Sequence, residues 1–309
     1  MQLSRSRDPS GQGGFKAGCL EWAGEDGRPR TFRYISYCGP DAGEGALQEA
    51  INELAPQHKR MDALFLSRLD RDRVNGIDWL SGQVAIDTVV IPHAGPGAII
   101  ADLLAAKVRG TLSGTLAEAR LNPELWFGRR GVLRVVRVNA VPGRGSSGGA
   151  AVGTASDGDQ PGAGRCVLDG DAGFARFAGP RAAARIIESG TAISPAGASW
   201  DFVPRADPRP DGASLFEFEL CARSVMGLGN RRRIGAQRLL EALTCRTTLE
   251  DLGCYYDFHY PARGISKHDC ASMSVCSGSA AGARPEWNSR GDGQGVWQVN
   301  SHSSMKRLT

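Results

Sequence analysis

The chain has 309 residues, 41% of them hydrophobic, and a formal charge of +4 at pH 7. That length and apolar content support one large α/β domain or two smaller ones around a substantial core. The charge is too mild by itself to point to a nucleic-acid partner, and its cations are nearly all arginine.

The opening Met1–Arg7 and the following Asp8 to Gly14 lack the apolar centre of a secretory signal. No apolar run approaches the roughly 20 residues that cross a bilayer. The expected location is therefore the cytoplasm, with no membrane partner. Eight cysteines are scattered without a C-x-x-C pair, and several fall in apolar runs, so reduced thiols are expected rather than a disulfide framework or a four-cysteine zinc site.

Phe15 to Trp22 and Thr31 to Cys38 read as two strands joined by a turn at Gly24 to Pro29. The next stretch places Leu47, Ala50, Ile51 and Leu54 on one face of an amphipathic helix, which Pro56 helps to stop. Ala63 to Ser67 is a buried strand, residues 68–73 are a polar loop, and Val74 to Leu80 is a helix. Ile86 to His93 follows as a β-branched strand. Strand, helix, strand in this order is a βαβ unit, which places residues 68–73 at the carboxyl end of a strand, where α/β sheets bind ligands. His93 closes the next strand and is a candidate for the same cleft, although a lone histidine there is more often a hydrogen-bonded loop residue.

Ala98 to Lys107 reads as a helix and Gly131 to Val141 as a strand. Residues 142–164 are rich in Gly and Ser and are expected to form a flexible insert. Their glycines lack the G-x-x-x-x-G-K-[ST] context of a phosphate cradle. Beyond the insert, Ala198 to Pro204 and Ser214 to Leu220 read as strands, the second alternating apolar with acidic residues, and Gly235 to Leu243 as a helix. Arg231, Arg232 and Arg233 form the one dense basic cluster; without interleaved aromatics it supports a nucleic-acid partner only weakly, and it is expected to face solvent or pair with acids such as Glu250 and Asp251.

The frame from Ala63 through Arg68-Leu69-Asp70-Arg71-Asp72-Arg73 to Gly76 resembles the signature region of metallo-β-lactamase-fold hydrolases, in which H-x-H-x-D-H follows such a strand. Arg68 stands where the first His belongs, Asp70 where the second does, Asp72 at the Asp and Arg73 at the last His. His268 and Ser272 loosely match a second family segment that completes the metal site from the other half of the molecule. The resemblance covers residues 13–140 and, more faintly, 198–277. It implies an α/β fold with a metallo-β-lactamase-like αββα sandwich, incomplete at the C-terminus. Residues 1–141 and 165–277 would be its two halves, 142–164 the insert and 278–309 a polar, disordered tail. Neither the family's Gly-Asp strand end nor its terminal His has a counterpart in the right chain order.

In that family a metal lowers the pKa of bound water to supply hydroxide, and Asp72 is the one retained ligand, hence the candidate catalytic residue. Arginine offers no lone pair, so Arg68 and Arg73 cannot replace imidazole, and their charge opposes a dication. The expectation is a scaffold with no cofactor, in which Arg68 or Arg73 neutralises Asp70 and Asp72. Arg68, Arg73 and His93 would then present a cleft to a small anionic ligand or an unknown protein partner. The competing expectation is a hydrolase of phosphodiester or ester bonds that holds zinc, manganese or magnesium with Asp70, Asp72 and His268. A simpler reading makes Asp72 the N-cap of the following helix. No G-x-S-x-G element and no nucleophile beside any of the five histidines suggests a metal-free hydrolase.

Overall fold

The computed structural model describes residues 2–7, 15–36, 44–140, 165–168, 179–206, 212–228, 236–259 and 273–279. Strands β1 (Gln2–Arg7), β2 (Lys16–Ala23) and β3 (Pro29–Ser36) form an antiparallel meander. The β2–β3 turn closes through Gly24, whose N–H donates to the Arg28 carbonyl at 2.8 Å, with Gly27 at φ 69°. That left-handed conformation suits glycine.

From β3 onward the pairing becomes parallel. The helix α1 (Glu44–Gln57) carries the chain to β4 (Arg60–Phe65), and α2 (Arg71–Gln83) carries it to β5 (Ala85–Pro92). The helices α3 (Pro96–Val108), α4 (Gly114–Leu121) and α5 (Pro123–Gly128) then lead to β6 (Arg134–Asn139). Past the insert come β7 (Arg165–Val167), β8 (Ala183–Glu188), β9 (Ala192–Ser194) and β10 (Trp200–Ala206). They precede α6 (Gly212–Val225), α7 (Ala236–Ala242), α8 (Arg246–His259) and β11 (Met273–Ser279).

The larger sheet has the order β1-β2-β3-β4-β5-β6-β8 and the smaller one β11-β10-β9-β7. Because β8 pairs parallel with β6, the larger sheet draws strands from both sides of the insert. Alternate residues of its central strands serve two cores: Leu64, Val89 and Val135 pack with the helices, whereas Phe65, Val90 and Val136 pack against the smaller sheet. Between the sheets Phe202 lies 4.9 Å from Tyr34, 5.0 Å from Phe65 and 5.7 Å from Phe32, centroid to centroid. Such tilted and offset rings fill the layer with large apolar area.

The buried residues of every described helix belong to the core on the first face, so the described layers run helix, sheet, sheet. The α/β class is as expected, and both sheets are mixed. A second outer helical layer, which αββα order requires, does not occur among the described residues.

Ser214 to Leu220 forms part of α6 rather than a strand. Phe216-Glu217-Phe218-Glu219 alternates locally, but Phe218 and Ala222 are completely buried while Phe216 is 61% exposed. The helical spacing from Leu215 through Phe218 to Ala222 faces α3 and α8, and this tertiary packing overrides the short two-residue period. The insert at residues 142–164, the Arg231–Arg233 cluster, His268, Ser272 and the tail from residue 280 lie outside the described residues.

Candidate functional site

The loop of interest leaves β4 at its carboxyl end. Leu66 and Leu69 turn inward and are buried, which fixes the path of the backbone and leaves the intervening polar residues at the rim. The Leu66 N–H donates to the Val90 carbonyl at 2.9 Å, and the Met273 N–H donates to the Ser67 carbonyl at 2.8 Å. The second contact brings the start of β11 onto this loop, five residues after His268 in the chain. His268 itself lies outside the described residues.

Asp70, not Asp72, is the N-cap of α2. Its backbone is extended, at φ −105° and ψ 176°, and its carboxylate accepts the Arg73 N–H at 3.2 Å. The same carboxylate accepts Nη1 of Arg73 at 2.6 Å, an ion pair three residues apart whose side chains are 16% and 27% exposed. One acid therefore satisfies a helix-terminal amide and a guanidinium together. Nε of Arg73 is buried and has no hydrogen-bond partner among the described residues.

Asp72 lies one step into the helix and points to solvent; it forms no ion pair among the described residues. The capping role expected for it belongs to Asp70, because the helix begins at Arg71. Arg68 is half-buried and also forms no ion pair among the described residues. The loop thus joins Asp70 to Arg73 and leaves Arg68 and Asp72 outside that pair.

His93 sits at the end of β5, but its charged surroundings come from β6, β8 and α5. Its N–H donates to the Val138 carbonyl at 2.8 Å. Burial pushes the imidazole pKa down, Arg137 pushes it further, and Glu124 and Glu188 oppose both. None of residues 68–73 figures among those influences.

Asp70 and Asp72 by themselves do not form a metal site, and His268, the third expected ligand, lies outside the described residues. Asp70 is already committed to Arg73 and the helix amide, Asp72 faces away into solvent, and no group of three His, Cys, Asp or Glu residues suited to a metal ion occurs among the described residues. A dication beside Asp70 would meet the Arg73 guanidinium at close range, where partial burial leaves the repulsion less screened than in bulk water.

Three features were not anticipated. Glu219 of α6 accepts the Gly97 N–H at 3.1 Å and pairs with Nε of Arg223 at 2.7 Å, so an internal carboxylate sits at the N-terminus of α3. Arg120 and Asp102, both almost fully buried, form a 2.9 Å ion pair between α4 and α3. Among the described cysteines, Cys166 is buried but Cys245 and Cys254 are exposed, unlike core thiols. Hydroxyls of Thr247 and Thr248 bring the Cys245 thiol down to about 7. No local motif marks Glu219 or Asp102, because Gly97 and Arg120 reach them from other helices.

No helix among the described residues is long and apolar enough to cross a membrane. Comparison with protein-family models, with curated proteins and with solved structures finds no match to this chain.

Proposed function

We propose that this chain is a degenerate metallo-β-lactamase-like protein that binds a small anion or an anionic surface of a partner protein and does not catalyse hydrolysis. The supporting observation is the Asp70–Arg73 pair, in which a guanidinium takes the electrostatic place that a metal would fill. The parallel βαβ order, the loop at the carboxyl end of β4 and the Met273–Ser67 contact all agree with this reading. Arg68 and the free Nε of Arg73 supply the donors for an oxyanion.

Purified protein is expected to contain substoichiometric zinc, manganese and magnesium, and to bind inorganic phosphate or sulfate in a salt-sensitive manner. Arg68→Ala is expected to weaken that binding about tenfold, the value of one charge-assisted hydrogen bond. Stoichiometric metal, together with phosphodiesterase or esterase turnover abolished by chelation and by Asp72→Ala, would replace this reading with the hydrolase of Asp70, Asp72 and His268.

A further inference from the structure

Three parallel strands end together beside His93. Pro92 of β5 aligns with Val138 of β6, and Val138 aligns with Ile187 of β8, so residues 93, 139 and 188 leave the sheet at one level. The His93 N–H extends the β5–β6 ladder by one rung. Its ring is half-buried, and Nδ1 is buried with no hydrogen-bond partner among the described residues.

The charged groups facing this ring come from three neighbouring elements. Arg137 of β6 is bound to Glu124 of α5, while its Nε is buried with no hydrogen-bond partner among the described residues. Glu188 of β8 accepts weak contacts from Nδ2 of Asn139, at 3.3 and 3.5 Å. Both carboxylates are engaged elsewhere, so a neutral imidazole fits this arrangement and a cationic one meets a guanidinium. A protonated ring must donate from both nitrogens, and a buried donor left without an acceptor is costly. Of the two carboxylates, Glu124 acts on the ring more strongly than Glu188, and it is the acceptor that Arg137 now holds.

We propose that His93 is an acid-operated latch: on taking one proton from solvent, its ring draws Glu124 from Arg137 and loosens the junction of β5, β6 and α5. Only hydrogen bonds and one ion pair exchange partners. This inference stands apart from the anion-binding reading, because it concerns the ring and its own neighbours rather than residues 68–73.

The sign follows from linkage. Burial and Arg137 hold the folded imidazole below its ordinary value of about 6.5, so its contribution to stability is complete above that value. The contribution falls as pH drops below about 6.5 and is gone once pH passes below the folded value.

The test is a pH titration of the full chain by NMR, following the His93 ring and the Arg137 Nε–H together. The His93 midpoint should lie below that of an exposed histidine, and the Arg137 resonance should move with the same midpoint. Glu124→Gln should lower the His93 midpoint further. In thermal unfolding between pH 6.5 and 5, the wild type should lose about 2–4 °C more than His93→Gln. An ordinary His93 midpoint, or an Arg137 resonance that stays still while His93 titrates, would overturn the proposal. The wild-type titration decides the matter even where a variant fails to fold.

Discussion

The two edges of the parallel strands handle buried charge in opposite ways. At the amino edge, Cys19 of β2 pairs with Arg33 of β3, and Asp62 of β4 and Asp87 of β5 lie near them in the neighbouring strands. The Asp62 carboxylate takes the Arg33 N–H at 2.6 Å, just below the first backbone rung, Tyr34 to Ala63. Asp87 is clasped by Arg60, whose Nε lies 3.0 Å from both carboxylate oxygens. At the carboxyl edge, acids and guanidinia meet across loops and helix starts, as in Asp70–Arg73, Glu124–Arg137 and Glu219 at Gly97. Charge at the first edge is held across neighbouring strands, whereas at the second Glu124–Arg137 and Glu219–Gly97 join separate elements and Asp70–Arg73 closes one helix start. A ligand that needs a responsive site is better served by the second.

Close packing gives the largest way to break this contrast. Gly128 at the end of α5 lies so near the chain entering β8 that a Cβ would come within 2.5 Å of the Pro180 carbonyl oxygen and the Ala182 nitrogen. At the other edge, a Cβ on Gly97 would run into the carbonyl oxygen of Leu215. Backbone cannot swing aside as a side chain can, so each glycine-to-alanine change should cost about 3 kcal/mol, the upper end for overpacking. Chemical denaturation measures the loss. Gly97→Ala should also shift α6 and its Glu219, whereas Gly128→Ala should leave the loop at residues 66–70 intact.

Next in size is Asp70→Ala, expected to cost about 1–2 kcal/mol through the lost N-cap and the buried guanidinium left behind. Asp70→Asn keeps a cap and should recover much of that cost. If the two variants are equally stable, the cap contributes nothing and the whole loss belongs to the Arg73 pair; if Asp70→Asn matches the wild type, the pair contributes nothing beyond capping.

Asp62 sharpens the comparison through pH. Burial pushes its carboxyl pKa up, Asp87 adds to the rise, and the Arg33 amide with the Arg60 and Arg33 charges opposes it. A raised folded value means that Asp62 favours folding most when protonated and loses that contribution as pH rises through the folded value. His93 behaves in the reverse manner, losing its contribution in acid. Asp62→Asn should therefore flatten the stability profile on its acid side and raise stability modestly at neutral pH, by less than the Asp70→Ala loss. Parallel profiles for wild type and variant would show that the amide bond to Arg33 and the nearby guanidinia fully offset burial.

Much of the parallel core was legible because its signals are local. Leu47, Ala50, Ile51 and Leu54 are all buried, as their helical spacing requires, and the strands around Leu64, Val89 and Val135 carry continuous apolar runs. The α6 segment was misread because four residues obeyed a two-residue period while Phe218 and Ala222, which decide its packing, meet partners more than 100 residues away in α3. The position of the loop at a strand end was equally legible. Which acid capped the helix was not, since Asp70 and Asp72 both precede or open an apolar helix and only the backbone geometry at Asp70 distinguishes them. His93 was recognised as lying at the sheet edge, but its neighbours Glu124, Arg137 and Glu188 are assembled by α5, β6 and β8.

The smallest expected effect carries the sharpest message about the loop. Asp72 faces solvent in the first turn of α2, where a carboxylate gains only a fraction of a kcal/mol from the helix dipole. Asp72→Ala should therefore change stability by less than about 0.5 kcal/mol, against the larger loss at Asp70. It should also leave phosphate affinity unchanged or slightly increased, because it removes a negative charge near Arg68 and Arg73. The aligned Asp would be the indispensable residue in a metal-dependent enzyme, and Asp70 the dispensable substitute. Calorimetric titration of phosphate into both variants, with parallel unfolding curves, separates the two orders: greater damage from Asp70→Ala supports the guanidinium-filled loop, and greater damage from Asp72→Ala restores the metal.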